Sequence, residues 1–218
     1  SLVVESGCGK STIAGILAAK NRGYTGTVTI GGVPLSQVQE AELMKRVVLV
    51  RHNSYLFKGT VEENLKMAKP DATKDEMEAV LRQVNLLGFL QTQNGLQTQL
   101  LEKASNLSGG QCQRLVIARA LLKSDTAVYI FDEAASNIDV ESEELIMKVI
   151  HELAKTKTVL LISHRLANVV QSDRIYFLKD GEIRESGTHE QLMQANGAYK
   201  NLFDSQMALE RYGTKEVA

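Results

Sequence analysis

The hexapeptide Gly7-Cys8-Gly9-Lys10-Ser11-Thr12 constrains this chain more than any other stretch. It follows a short β-prone apolar run, Leu2-Val3-Val4. It opens a segment in which Ile13, Ile16 and Leu17 are spaced to share one helix face. Strand, glycine loop, Lys-Ser and helix form the layout of a phosphate-binding loop. Glycines let the backbone turn tightly so that successive N–H groups point inward, and a helix N-terminus adds unsatisfied donors and a positive dipole end. In such a loop Lys10 reaches the β- and γ-phosphates and the Ser11 hydroxyl ligates Mg²⁺. A glycine-rich turn carrying a chance lysine is the plainer reading, and the flanking strand and helix argue against it. The pattern G-x-x-x-x-G-K-[ST] places its first glycine where Val4 stands. Valine resists positive φ, so either the loop leaves the strand by another path or the site is weaker than usual.

The 218 residues suit one domain, with room for two lobes and a substantial core. A net charge of −1 gives no electrostatic case for nucleic acid or an anionic membrane surface. Cys8 and Cys112 belong to no spaced cluster, which points to a reducing compartment without structural disulfides or zinc. No apolar run approaches the roughly 18 residues that span a bilayer, and no signal peptide is evident. The start reads as cut, because a phosphate loop ordinarily ends a strand inside a sheet and few residues precede it here.

Further along, glycines at 23, 26, 31 and 32 punctuate a short strand, Thr27-Val28-Thr29-Ile30, and a helical stretch is expected around Val38 to Met44. Val47-Val48-Leu49-Val50 reads as a strand covered on both faces. From Thr60 to Leu90 the pattern is helical, with capping boxes at Thr60/Glu63 and Thr73/Glu76, Pro70 between the two segments, and Met77, Val80, Leu81 and Val84 on one packed face. A polar loop rich in Gln, Asn and Thr leads to Leu107-Ser108-Gly109-Gly110-Gln111. This is a second capped helix start with exposed N–H groups and with Ser108 as a donor. Ala127-Val128-Tyr129-Ile130-Phe131 is a buried strand ending in Asp132-Glu133. Beside a phosphate loop, Asp132 would hold the Mg²⁺ shell and Glu133 would polarise a water; a solvated acidic turn is the weaker choice. Asp139 reads as the N-cap of a helix with Leu145, Ile146, Val149, Ile150 and Leu153 inward. Thr158 to Ile162 is another buried strand, and it delivers His164 to the edge where Lys10 and Glu133 lie. His151 is expected within a helix and His189 at the surface of a helix's first turn. Asp180-Gly181 marks a hairpin, Thr188 with Gln191 caps a further helix, and the residues from Arg211 read as frayed. Strands alternating with helices around a phosphate loop give an α/β fold with a parallel core.

Together these residues resemble the ATPase domain of ATP-binding cassette proteins, over almost the whole chain. Leu107-Ser108-Gly109-Gly110-Gln111, lying between the phosphate loop and the Asp-Glu strand, is highly specific to that family, and Asp139 followed by His164 completes the order. The resemblance implies a P-loop NTPase core with a RecA-like parallel sheet, made of residues 1–52 and 124–218, and an inserted helical signature subdomain at 53–123. Strands before the phosphate loop would be missing. It implies ATP and Mg²⁺ as ligands, with Ser6, Gly7, Cys8, Gly9, Lys10, Ser11 and Thr12 around the phosphates and Ser11 and Asp132 on the metal. Ser108, Gly109, Gly110 and Gln111 would contact the γ-phosphate of a nucleotide held by a second copy of the domain, with Asp139 in the loop linking the two sites. Glu133 would be the catalytic carboxylate and His164 the switch histidine. His52 stands where the family has a glutamine that touches Mg²⁺, the attacking water and the transport partner; imidazole differs in reach and titrates near neutrality.

Tyr55-Leu56-Phe57-Lys58-Gly59-Thr60-Val61 and Gly187-Thr188-His189-Glu190-Gln191-Leu192 resemble the exporter branch, in which the ATPase is fused behind a transmembrane domain at the cytoplasmic face of the membrane. The implied function is ATP hydrolysis that powers transmembrane export. Three other readings stay open. A soluble non-transport cassette ATPase would carry a long coiled coil, and no heptad run is seen. A tandem translation-type cassette would need a second cassette. A poorly hydrolysing regulatory module is suggested by Val4 and His52.

Overall fold

The computed structural model describes residues 1–4 and 9–215. The chain runs β1 (Leu2–Val4), α1 (Lys10–Leu17), β2 (Thr29–Ile30), β3 (Val33–Pro34), α2 (Glu40–Arg46), β4 (Val47–Arg51) and β5 (Gly59–Thr60). Then come α3 (Val61–Lys66), α4 (Lys74–Gln83), α5 (Leu87–Gln91), β6 (Gln99–Leu100) and α6 (Gly109–Leu121). The last part holds β7 (Val128–Asp132), α7 (Val140–Ala154), β8 (Thr158–Ser163), β9 (Ile175–Lys179), β10 (Glu182–Gly187), α8 (His189–Ala195) and α9 (Ala198–Lys215).

Six strands form the central sheet in the order β10-β9-β1-β8-β7-β4. All neighbours are parallel except the β9–β10 hairpin, whose turn is Asp180-Gly181. Alternate residues of each strand enter opposite apolar layers, as a pleated ribbon requires. Leu2, Ile130, Ile162 and Leu178 face one layer with Ala14, Leu35 and Leu43; Val3, Phe131, Leu161 and Phe177 face the other with residues of α6 and α7. Covering on both faces explains why these strands read as unbroken apolar runs.

The register fixes the functional edge. Asp132 stands opposite Arg51 on one side and Ile162 on the other, while Val3 stands opposite Ser163. The carboxyl ends of β1, β4, β7 and β8 are therefore level. Connections between β4 and β7 carry α3 to α6, and capping boxes at Thr60/Glu63, Thr73/Glu76, Ser108/Gln111 and Thr188/Gln191 fix four helix starts.

Several expectations need correction. The inward face of α1 centres on Ala14 and Gly15, with Ile13, Ile16 and Leu17 only partly buried. Small residues let the helix lie close to the sheet, which periodicity of large side chains does not report. The polar loop before Leu107 contains β6, paired antiparallel with β5. His189 is only partly exposed: its Nδ1 lies 2.9 Å from the Tyr199 hydroxyl and its ring packs on Phe203. The backbone of α9 continues past Arg211 to Lys215. Val4 pairs with Leu178 within β1, so the position lacking its glycine is an ordinary strand residue.

Leu81 is fully buried whereas Val80, on the same helix, is only partly so. Leu81→Ala should lower the unfolding free energy by about 2–5 kcal/mol in urea titration, and Val80→Ala by distinctly less. Equal losses at the two positions would contradict this packing.

Candidate active site

Three chain segments meet at the carboxyl edge of the sheet. The first is the start of α1, where Gly9 sits at φ 94° as the N-cap and its carbonyl accepts from Ile13 N. That left-handed backbone costs glycine little and would strain any other residue. Ser11 and Thr12 follow in the first turn and are exposed. Ser6, Gly7 and Cys8 lie outside the described residues.

The second segment is the end of β7. Asp132 is the last strand residue, with its side chain only 7% exposed and Arg51 Nε at 3.4 Å. Glu133 steps out of the strand into the left-handed region at φ 53°. Such a conformation costs a non-glycine residue about 1–3 kcal/mol and persists only where neighbours over-determine it. Here they do. The Glu133 amide donates to Ile162 O at 3.0 Å, and its carbonyl accepts from Ser136 N at 3.1 Å and Ser136 Oγ at 2.8 Å.

The third segment is the end of β8. His164 follows the strand, half-exposed, with Nδ1 3.8 Å from Glu133 Oε1. On the same oxygen, Lys10 Nζ donates at 2.6 Å. Lys10, Glu133 and His164 thus converge on one carboxylate, with Asp132 beside them. The Lys10 hydrogen bond holds the Glu133 carboxyl below its ordinary range, with partial burial opposing and the charges of Lys10, His164 and His52 adding to the effect. His52, exposed in the turn after β4, therefore belongs to the same electrostatic neighbourhood.

The Ser108-Gly109-Gly110-Gln111 helix start lies elsewhere. Ser108 Oγ accepts from Gln111 N at 3.1 Å, so the hydroxyl expected as a donor serves here as a capping acceptor, and Gln111 Oε1 accepts from Ser108 N at 2.9 Å. Asp139 caps α7 by accepting from Ser142 N at 2.8 Å. A Cβ on Gly110 would come within 2.1 Å of Ser142 Oγ and 3.0 Å of Asp139 Oδ2. Among the described residues no hydrogen bond or ion pair joins this group to Lys10, Glu133 or His164.

Sequence reasoning missed the supports. Gln113 is buried and its Nε2 donates to Arg51 O at 3.2 Å, tying α6 to the end of β4. Glu143 is buried in α7, accepts from Asn168 Nδ2 at 2.8 Å and pairs with Arg165. In the sequence both read as polar residues in helices, and no spacing signal separates them from solvated positions.

A sequence profile of the ABC transporter family matches residues 1–136. The chain belongs to that family. It is similar to the ATP-binding domains of exporter-type members of that family. An uncharacterized ABC transporter ATP-binding protein of Haemophilus influenzae is 48% identical over 216 residues, covering 99% of this chain and 38% of the relative. An ATP-dependent lipid A-core flippase of Neisseria meningitidis serogroup A is 38% identical over 203 residues, 93% of this chain and 32% of the relative. A solved bacterial Atm1-family ABC exporter with ATP bound superposes with TM-score 0.88 at 31% identity, over 94% of this chain and 36% of that one. The chain therefore spans well under half of the length of these proteins. No helix among the described residues is long and apolar enough to cross a membrane.

Because the Glu133 carboxyl is shifted downward, its contribution to stability is full at neutral pH and disappears as pH falls from about 4.5 through the lowered folded value. The stability difference between wild type and Glu133→Gln, followed by chemical denaturation at stepped pH, should shrink over that window. A difference that is constant from neutral to acid pH would exclude the pairing. Separately, Gly110→Ala should disturb the start of α6, and Ser142→Gly should restore it by removing the clashing atoms; circular dichroism melts of single and double variants check this.

Proposed function

We propose that the cluster at the sheet edge hydrolyses ATP to power transmembrane export, working in a head-to-tail pair of such domains. The observation that carries this reading is the sharing of one carboxylate oxygen of Glu133 by Lys10 and His164. ATP phosphates arriving at Gly9 to Thr12 meet the helix N-terminus and compete with Glu133 for the Lys10 ammonium. Ser6, Gly7 and Cys8 are assigned to the same cradle by the motif. As Lys10 turns to the phosphates, Glu133 loses its strongest partner and is released to orient a water for in-line attack on the γ-phosphate. A carboxylate kept ionised suits orientation and electrostatic assistance to that water. His164 contacts the γ-phosphate from the end of β8.

The donors fit a hard cation. Mg²⁺ takes oxygen ligands, commonly one or two from protein with the rest from phosphates and water. The Ser11 hydroxyl and the Asp132 carboxylate supply such oxygens, and His52 stands near enough to influence Glu133. The cation would neutralise charge on the β- and γ-phosphates. The Ser108 to Gln111 helix start, lying apart from Lys10 within one chain, suits the γ-phosphate of a nucleotide on a second copy, and Asp139 beside it would link the two sites. Residues 1–52 and 124–218 act as the core lobe and 53–123 as the signature lobe.

Tyr55 and Phe57 present exposed rings at 4.8 Å in an edge-on pair. The strap is held by the buried Asn64, which donates to Phe57 O and accepts from Phe57 N, and by Arg119 donating to Tyr55 O. We assign this surface to a transmembrane domain of the same polypeptide, which puts the ATPase at the cytoplasmic face. A regulatory, poorly hydrolysing role is the second reading, favoured by His52 in place of glutamine.

Glu133→Gln should reduce phosphate release by about a hundredfold or more while MgATP still drives dimerisation, read by light scattering. Unchanged turnover removes Glu133 from its role, and wild-type turnover near zero favours the regulatory reading.

A further inference from the structure

Gln206 lies in α9, more than forty residues after His164, yet its side-chain amide grips the turn that carries the histidine. Its Nε2 donates to His164 O at 2.7 Å and its Oε1 accepts from Leu166 N at 2.9 Å. We infer that Gln206 is the positioning residue for His164. It clamps the backbone of the turn after β8 and thereby sets where the imidazole stands relative to Glu133.

The imidazole is half-exposed, and Glu133 Oε1 lies 3.8 Å from it, beyond hydrogen-bond reach. A side chain placed so loosely takes its position from its backbone. Ties on the β8 and α7 side hold the flanking residues. Ser163 Oγ accepts from Arg165 N and donates to Arg165 O, both at 3.0 Å, and Glu143 engages Arg165 and Asn168. The His164 carbonyl itself is held from α9, by Gln206.

The helix that delivers Gln206 is firmly anchored. Glu185 of β10 accepts from Ala198 N at 2.5 Å and Tyr199 N at 3.3 Å, capping its first turn. Tyr199 is fully buried and meets His189 and Phe203. A shift of α9 along its axis would be passed through one amide to the γ-phosphate side of the site. An amide suits this duty because it donates and accepts at once.

The inference rests on the reading of His164 as a γ-phosphate contact, and two variants separate them. Q206M keeps length and loses both hydrogen bonds. Q206E keeps an acceptor for Leu166 N but, as a carboxylate, cannot donate to His164 O. Hydrolysis is measured in the full-length protein against ATP concentration, with single-turnover rates for slow variants and H164A as reference.

Q206M should lower kcat by about three- to tenfold, the worth of one or two hydrogen bonds, with KM for ATP nearly unchanged. Q206E should fall at least as far, and both should melt within about 2 °C of wild type. In the H164A background Q206M should cost nothing further, since the group it positions is gone. Wild-type kcat in either Gln206 variant, or an equal factor lost in the H164A background, overturns the inference. Wild-type turnover in H164A instead overturns the reading of His164 beneath it.

Discussion

The ion pair between Lys10 and Glu133 depends on a sheet whose strands end level. Lys10 comes from a helix that follows β1, and Glu133 from the residue after β7, 123 positions later. They meet at 2.6 Å because β1, β8 and β7 are parallel neighbours in register, with Val3 opposite Ser163 and Ile162 opposite Asp132. A slip of one residue would turn Asp132 and Phe131 to the wrong faces and would remove both the core and the cluster together. Fold and chemistry are enforced by the same pairing.

The strain at Glu133 belongs to this scheme. A regular strand would send its side chain across the sheet face. The left-handed turn, held by Ile162 and Ser136, swings it toward Lys10 and His164 instead. Apolar burial of Ile130 and Phe131 on opposite faces stabilises the strand that bears the strain. Pairing to an ammonium keeps the carboxyl ionised in a partly buried place, where desolvation alone would push it the other way.

Separation is as informative as convergence. The Ser108–Gln111 turn packs on Asp139 and Ser142, and Gly110 is needed there because no Cβ fits against Ser142. Among the described residues no hydrogen bond or ion pair joins this second helix start to Lys10. The head-to-tail pairing proposed above would bring these unlike ends onto one phosphate. The exposed aromatic strap at Tyr55 and Phe57, rigid through Asn64, is a surface of a different kind: apolar, braced and open.

Much of this was legible in the sequence. Glycine punctuation, the Thr60/Glu63, Thr73/Glu76 and Thr188/Gln191 cap pairs and unbroken β-branched runs marked helix starts and buried strands, because those signals act over a few residues. Lys10 was legible as a candidate from its glycine loop, and Asp132, Glu133 and His164 because each follows closely on an apolar run. Other features were not legible. The inward face of α1 depends on how closely a helix approaches a sheet, the partial cover of His189 on helices packing through Tyr199, and the roles of Glu143, Gln113 and Gln206 on partners 25, 62 and 42 positions away. Local chemistry is written in neighbouring residues. The hydrogen bonds that hold the His164 turn in place exist only once distant segments have been brought together, and tertiary packing decides which polar side chains find them.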